Sequence, residues 1–274
     1  MHLIDMIPAL REALDDERAR GLLVGLVATM GALHEGHLSL IRRAAAECDV
    51  VAVTIFVNPL QFGPAEDLAA YPRRLDDDTT LAGAAGASYV FAPSVEEMFP
   101  GGTLTTVHVA EVGDTREGAV RPGHFDGVAT VVAKLFALAG PCRAYFGEKD
   151  HQQLEVVRRL AADLSFPVRI VACPTVREAD GLALSSRNAY LSPAERAAAP
   201  VLHRALLAGQ ALVGRGVTEP APLGAAMSTV VGSEPAARLD YAEAVPGADG
   251  RVRLYVAARI GTTRLIDNLE ATAP

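Results

Sequence analysis

Through the first two thirds of the chain, short runs of β-branched and other apolar residues alternate with segments of helical periodicity. This alternation constrains the fold more than any other feature, because it is the pattern of βαβ units on a parallel sheet. Pro8 fits the first turn of a helix that places Leu10 and Leu14 on one face. Residues 22–28 then read as a buried strand, and a helix over 37–48 puts Leu38, Ile41, Ala45 and Cys48 on one stripe. A strand over 50–57 ends at Asn58-Pro59, and a loop rich in Gly and Pro follows. Next come a helix over 73–85, a strand over 87–92 and a short strand over 105–109. A helix over 128–138, a strand over 143–146, a helix over 150–164 and a strand over 168–172 complete this part.

Beyond Pro174 the rhythm changes. A long Ala-rich helix over 193–213 precedes a shorter one over 222–231. Strand-like runs then cover 238–245, 252–257 and 263–269, with a turn at Gly247-Ala248-Asp249-Gly250. The expected class is α/β, with a parallel-sheet domain over residues 1–175 and a smaller α+β domain over 176–274. The 274 residues, half of them hydrophobic, are enough to bury such cores, and aromatics at 5% predict mainly aliphatic ones. A net charge of −8 argues against a general nucleic-acid or anionic-membrane surface, so any phosphate recognition must be local. Cys48, Cys142 and Cys173 suggest neither a disulfide framework nor a Cys-rich zinc site. The start lacks a secretory pattern, and the apolar run 22–30 is too short to span a bilayer. A soluble cytoplasmic protein is expected, without nucleic-acid or membrane partners.

Thr29-Met30-Gly31-Ala32-Leu33-His34-Glu35-Gly36-His37 lies between an expected strand and an expected helix. The carboxyl end of a parallel strand opens onto the ligand crevice of such folds, and a helix N-terminus there attracts anions. His34 and His37 fit donors to phosphate oxygens. Metal ligation, capping and core packing stay open for them, although no third ligand stands at a recognisable spacing. Phe146-Gly147-Glu148-Lys149-Asp150-His151-Gln152-Gln153 occupies a second strand-to-helix junction. Lys134 and Lys149 are the only lysines, and Lys149 suits a mobile point charge on a transferring phosphate, unless it is a compositional accident. Gln153 could be functional or complete a capping box with Asp150. Leu184-Ser185-Ser186-Arg187-Asn188 offers hydroxyl and guanidinium donors suited to a lid over a polyphosphate, or simply a turn. Gln61, after a strand end, is placed to orient a polar substrate. Asp76, Asp77 and Asp78 read as helix-dipole partners in preference to a magnesium site. P-loop, nucleophile-elbow and dinucleotide-binding signatures are absent.

Taken in order, these segments resemble the pantoate–β-alanine ligase family, the pantothenate synthetases. The resemblance runs from TMGALHEGH (29–37) through IFVNPLQFG (55–63), YPR (71–73), FAPSVEEMFP (91–100) and RPGHFDGV (121–128). It continues through FGEKDHQQL (146–154) and TVREADGLALSSRN (175–188) to VAARIGTTRLIDN (256–268). That family belongs to the HxGH nucleotidyltransferase superfamily, which implies a Rossmann-like first domain, a smaller α+β lid domain and a homodimer. It implies ATP at Met30, Gly31, Ala32, Leu33, His34, Glu35, Gly36 and His37, at Gly147, Glu148, Lys149 and Asp150, and at Val176, Leu184, Ser185, Ser186 and Arg187. His37 would be the acid, with His34, Lys149, Ser185, Ser186 and Arg187 also assigned to catalysis. Pantoate would contact Gln61 and Gln153, with β-alanine near Gln61. The implied reaction forms pantothenate through pantoyl adenylate, with Mg2+ accompanying ATP and with AMP and pyrophosphate released. The metal ligands and the roles of Asp77 and Asp78 stay unassigned. Ala28 stands where the family usually has proline, which removes a φ constraint and restores an N–H.

Overall fold

The computed structural model describes residues 1–63, 68–69, 71–248 and 250–274. It divides into two compact units, Met1–Pro174 and Thr175–Pro274. Part of the Gly- and Pro-rich loop, and Asp249 of the expected turn, lie outside the described residues.

The first unit is built on a six-stranded sheet in the order β1-β4-β3-β2-β5-β6. Its strands are β1 (His2–Ile4), β2 (Val24–Thr29), β3 (Val50–Ile55), β4 (Tyr89–Phe91), β5 (Cys142–Gly147) and β6 (Val168–Cys173). Every pairing in it is parallel. Starting from β2 the chain steps outward through β3 and β4, then returns to lay β5 on the other flank of β2. Successive strand residues face opposite sides, so each strand feeds two cores. Val24 and Leu26 join one with Leu10, Leu14, Phe136 and Leu160, under α1 (Ile7–Ala19), α6 (His124–Ala139) and α7 (His151–Asp163). Val27, Val51 and Val53 join the other with Ile41 and Ala82, under α2 (Glu35–Glu47) and α3 (Leu75–Ala84). Most of the buried side chains are aliphatic, although Tyr145, Phe91 and Phe136 are among the largest fully buried ones. Cys48, Cys142 and Cys173 are free thiols.

Two short helices, α4 (Val95–Met98) and α5 (Glu117–Val120), have no counterpart in the sequence pattern. The strand expected over 105–109 does not form. There the Val107 N–H donates to Thr130 Oγ1 at 2.9 Å, a side-chain acceptor in place of a strand ladder. Helix α6 starts four residues earlier than expected, and twelve of its residues are buried. Its periodicity is hard to read because apolar residues cover nearly the whole circumference.

The second unit pairs β7 (Ala237–Pro246), β8 (Arg251–Ile260) and β9 (Thr263–Thr272) in an antiparallel sheet. The single long helix expected over 193–213 is two helices, α8 (Pro193–Ala198) and α9 (Val201–Val213). Pro200 lies at the break, where its ring and missing N–H interrupt helical continuation. With α10 (Pro220–Gly232), these helices bury Leu202, Leu206, Leu223 and Met227 beside Leu254 and Val256 of β8. No helix among the described residues is long and apolar enough to cross a membrane.

One close approach fixes the surroundings of Gln61. A Cβ on Gly127 of α6 would lie 2.2 Å from the Leu60 carbonyl oxygen and 2.6 Å from the Gln61 nitrogen. Gly127→Ala gains about 1 kcal/mol of helix propensity. The backbone clash costs about 1–3 kcal/mol or more, and should win. The variant is expected to melt several degrees below the parent in a thermal scan, whereas an unchanged or higher midpoint would show that the helix can move away freely.

Candidate active site

The strand order decides where the candidate residues meet. Crossovers leave β2 and β5 in opposite directions although the two strands are neighbours. Their carboxyl ends therefore open side by side, the place where such sheets bind ligands. The segment after β2 carries Met30 to His37, and the segment after β5 carries Glu148, Lys149 and Asp150 in a single 3-10 turn leading into α7.

The turn after β2 is held from several sides. Thr29 Oγ1 donates to the Thr54 carbonyl at 2.5 Å and accepts from the Gly31 N–H at 3.2 Å. Gly31 and Ala32 have φ of +84° and +50°, in the left-handed region that favours glycine. The Ala32 and Leu33 N–H groups donate to the Asp78 carboxylate, at 2.8 and 2.7 Å. His34 then caps α2: its Nδ1 accepts from the Gly36 N–H at 3.1 Å, and its own N–H points to His37 Nδ1 at 3.4 Å. The capping reading of the histidines is thus realised. With each Nδ1 facing a backbone N–H, the proton of the neutral ring is assigned to Nε2 in both. Glu35 lies outside this cap, ion-paired with Arg42.

The two rings are 4.1 Å apart, centroid to centroid. Burial, aided by the Lys149 charge and opposed by Asp150, lowers the pKa of His34 to about 4. Burial lowers His37 to about 3, aided by His34 and then Lys149. Both imidazoles are therefore neutral N–H donors at pH 7, and Lys149 acts on both of them electrostatically. The Lys149 ammonium lies 3.7 Å from the Asp150 carboxylate. Asp150 is the N-cap residue of α7 but makes no side-chain capping bond, so the capping-box alternative for Gln153 is not realised.

Gln61 ends a 3-10 turn, Pro59–Gln61, that follows β3. Its amide nitrogen donates to Met30 Sδ at 2.9 Å, and its amide oxygen accepts from Asn58 Nδ2 at 3.1 Å. The Gln61 carbonyl accepts from His124 Nδ1 at 2.9 Å, while Arg121 donates to His124 Nε2 at 3.0 Å. Buried Gln152 donates to the Val112 and Thr115 carbonyls and accepts from the Glu117 N–H, securing the segment before α6. Sequence reasoning gives no role to Asn58, Arg121, His124 or Gln152. The segments NPLQ and RPGHFDG are visible signals, but only the fold shows that they converge.

In the second unit, the Leu184 N–H donates to the Val176 carbonyl at 3.0 Å, drawing those two residues together across a turn. Ser185 caps the 3-10 helix Ser186–Tyr190, its Oγ accepting from the Arg187 N–H at 3.3 Å. Below this turn, Arg177 makes a bidentate pair with buried Asp267 at 2.6 and 2.9 Å, and also donates to the Gly181 carbonyl. The serine segment is thus ordered by its own bonds.

Comparison with known proteins identifies the family. The sequence pattern of a family described as pantoate-beta-alanine ligase matches residues 2–270. A pantothenate synthetase of Moorella thermoacetica is 52% identical over 98% of both chains. A crystal structure of the pantothenate synthetase from Thermus thermophilus superposes with a TM-score of 0.93, at 50% identity and full coverage of both chains. A pantoate–β-alanine ligase from Francisella tularensis, crystallised with a β,γ-ATP ligand and β-alanine, gives a TM-score of 0.83 at 34% identity, covering 98% of this chain and 97% of that one. With matched sequence over nearly its whole length and the same two-unit architecture, the chain belongs to the pantoate–β-alanine ligase family of carbon–nitrogen ligases.

Proposed function

We propose that this protein joins pantoate to β-alanine in two steps, using ATP to activate the carboxylate. A pantoate carboxylate oxygen attacks the α-phosphorus of ATP, the bond from that phosphorus to the β-phosphate bridging oxygen breaks, and pyrophosphate leaves with the electron pair. The product is pantoyl adenylate. The neutral amine of β-alanine then attacks the acyl carbon, the bond from that carbon to the AMP oxygen breaks, and the amine releases its proton. Pantothenate and AMP result. No enzyme nucleophile is required, so the protein acts by positioning and by stabilising charge.

One observation carries this reading most directly. The ends of β2 and β5 lie side by side, so two neutral imidazoles and the Lys149 ammonium share one electrostatic neighbourhood. His34 and His37 would donate from Nε2 to phosphate oxygens, with the N-terminus of α2 adding its dipole. Backbone groups of Met30 to Gly36 and of Gly147 to Asp150 would complete the nucleotide contacts. Gln61 and Gln153 would orient pantoate, with β-alanine entering beside Gln61. Val176, Leu184, Ser185, Ser186 and Arg187 would contribute further nucleotide contacts, as the family resemblance implies.

Magnesium would arrive on the triphosphate. It ordinarily keeps phosphate and water ligands. The described residues contain no group of three or more His, Cys, Asp or Glu side chains placed to hold a metal by themselves. The ion would neutralise phosphate charge, leaving the imidazoles and Lys149 to align the α-phosphorus. His37 can serve as an acid only once nucleotide raises its pKa from about 3. A homodimer in the cytoplasm completes the proposal by analogy with the family.

Three experiments test it. Lys149→Ala should lower pantoate-dependent pyrophosphate release about 10²–10³-fold without shifting the melting temperature, and normal release would reject the assignment. Gln153→Ala should raise the KM for pantoate with little change in that for ATP, and a drop in melting temperature alone would return Gln153 to a structural role. In NMR titrations, ATP should move the His34 and His37 midpoints upward, because nearby negative charge favours the protonated ring. Proton uptake on binding should then appear in the acidic range between the free and bound midpoints. Unmoved midpoints would place the triphosphate elsewhere.

A further inference from the structure

The three acidic residues in the first turn of α3 are not equivalent. Asp76 and Asp77 are exposed, as dipole partners of a helix N-terminus commonly are. Asp78 is 2% exposed, and its two carboxylate oxygens accept from the successive N–H groups of Ala32 and Leu33 across 46 and 45 residues of sequence. The dipole reading made from the sequence therefore describes Asp76 and Asp77 but is incomplete for Asp78.

The turn that Asp78 grips is under conformational tension. Ala32 carries a side chain at φ +50°, a strained conformation that persists only where the surroundings enforce it. Gly31 at φ +84° leaves room for the carboxylate, since a Cβ there would stand 2.9 Å from Asp78 Oδ2 and 3.1 Å from Ile55 Cγ2. Consecutive backbone N–H groups of this kind form a concavity that attracts an anion. Here the anion is a side chain of the same unit. The next residue is His34, whose cap sets the orientation of both imidazoles.

We propose that Asp78 is a positioning residue for adenylation: its buried carboxylate clamps the left-handed turn at 31–33 and thereby aims His34 and His37 at the transferring phosphate. The proposal rests on the phosphate-binding reading above. In that role Asp78 need not touch nucleotide or pantoate. It acts through the backbone, and the two N–H groups it occupies are committed to the turn and leave phosphate recognition to the helix end, the imidazoles and Lys149.

The test uses the full chain and compares Asp78→Asn, Asp78→Ala, Asp77→Asn and Gly31→Ala. Rates of pyrophosphate release with ATP, magnesium and pantoate are normalised to the folded fraction. Asp78→Asn retains one accepting oxygen and should lower kcat about tenfold, and Asp78→Ala, which retains none, about 100-fold. KM for pantoate should stay within about twofold, because Gln61 and Gln153 are held by other elements. Asp77→Asn removes the same charge one residue away and should leave kcat unchanged. Amide exchange at Ala32 and Leu33 should accelerate at least about tenfold in Asp78→Asn.

An Asp78→Asn kcat equal to that of the parent, or a pantoate KM rising in step with the fall in kcat, overturns the proposal. If the Asp78 variants do not fold, Gly31→Ala presses on the clamp from the opposite side. It must show the same loss of kcat, and a parental rate overturns the idea. If the parent releases no pyrophosphate with pantoate, the functional reading fails on its own account. The clamp is then judged by amide exchange alone, and unchanged exchange in Asp78→Asn rejects it.

Discussion

Everything that gathers at the candidate site follows from the lateral hydrogen bonding of β2 to β5, strands more than a hundred residues apart in the chain. The chain leaves β2 toward one edge of the sheet and β5 toward the other, which makes their ends the kind of crevice where such sheets bind ligands. A strand end bearing two histidines and a strand end bearing a scarce lysine thereby become neighbours. Apolar packing on both faces of the sheet fixes this arrangement. The polar groups inherit a geometry supplied by aliphatic side chains.

The histidine pair shows how a structural duty can prepare a chemical one. Each ring faces a backbone N–H through Nδ1, which fixes its tautomer and limits its rotation. Burial then keeps both rings uncharged. A pair of imidazolium ions at this separation would repel each other and would strip charge contrast from Lys149. Neutral rings avoid that repulsion while still offering Nε2 donors beside the Lys149 ammonium.

Much of this was legible in the sequence, for identifiable reasons. The strands carrying the site are short apolar runs bounded by turn residues, and the Gly-rich His segment and the FGEKD segment both sit where a strand hands over to a helix. Legibility failed where a residue's meaning depends on a partner distant in sequence. Asp78 looks like its neighbours Asp76 and Asp77 because local patterning cannot show which of three carboxylates turns inward. Asn58, Arg121 and His124 brace Gln61 through bonds that tie together two segments about sixty residues apart. Pro200 divides an otherwise continuous Ala-rich helical pattern, and a strand-like run at 105–109 is satisfied by Thr130 instead of a neighbouring strand.

The Arg177–Asp267 pair has a consequence for the way the second unit is completed. Arg177 lies near the beginning of that unit and Asp267 in its last strand, yet the turn carrying Val176 and Leu184 is braced by their two bonds. A guanidinium placed there without its counter-ion would be a partly buried, uncompensated charge. During synthesis the serine segment emerges well before the aspartate that steadies its base. A product cut short by a few residues before Asp267 would therefore lack the brace beneath a serine segment that has already been made.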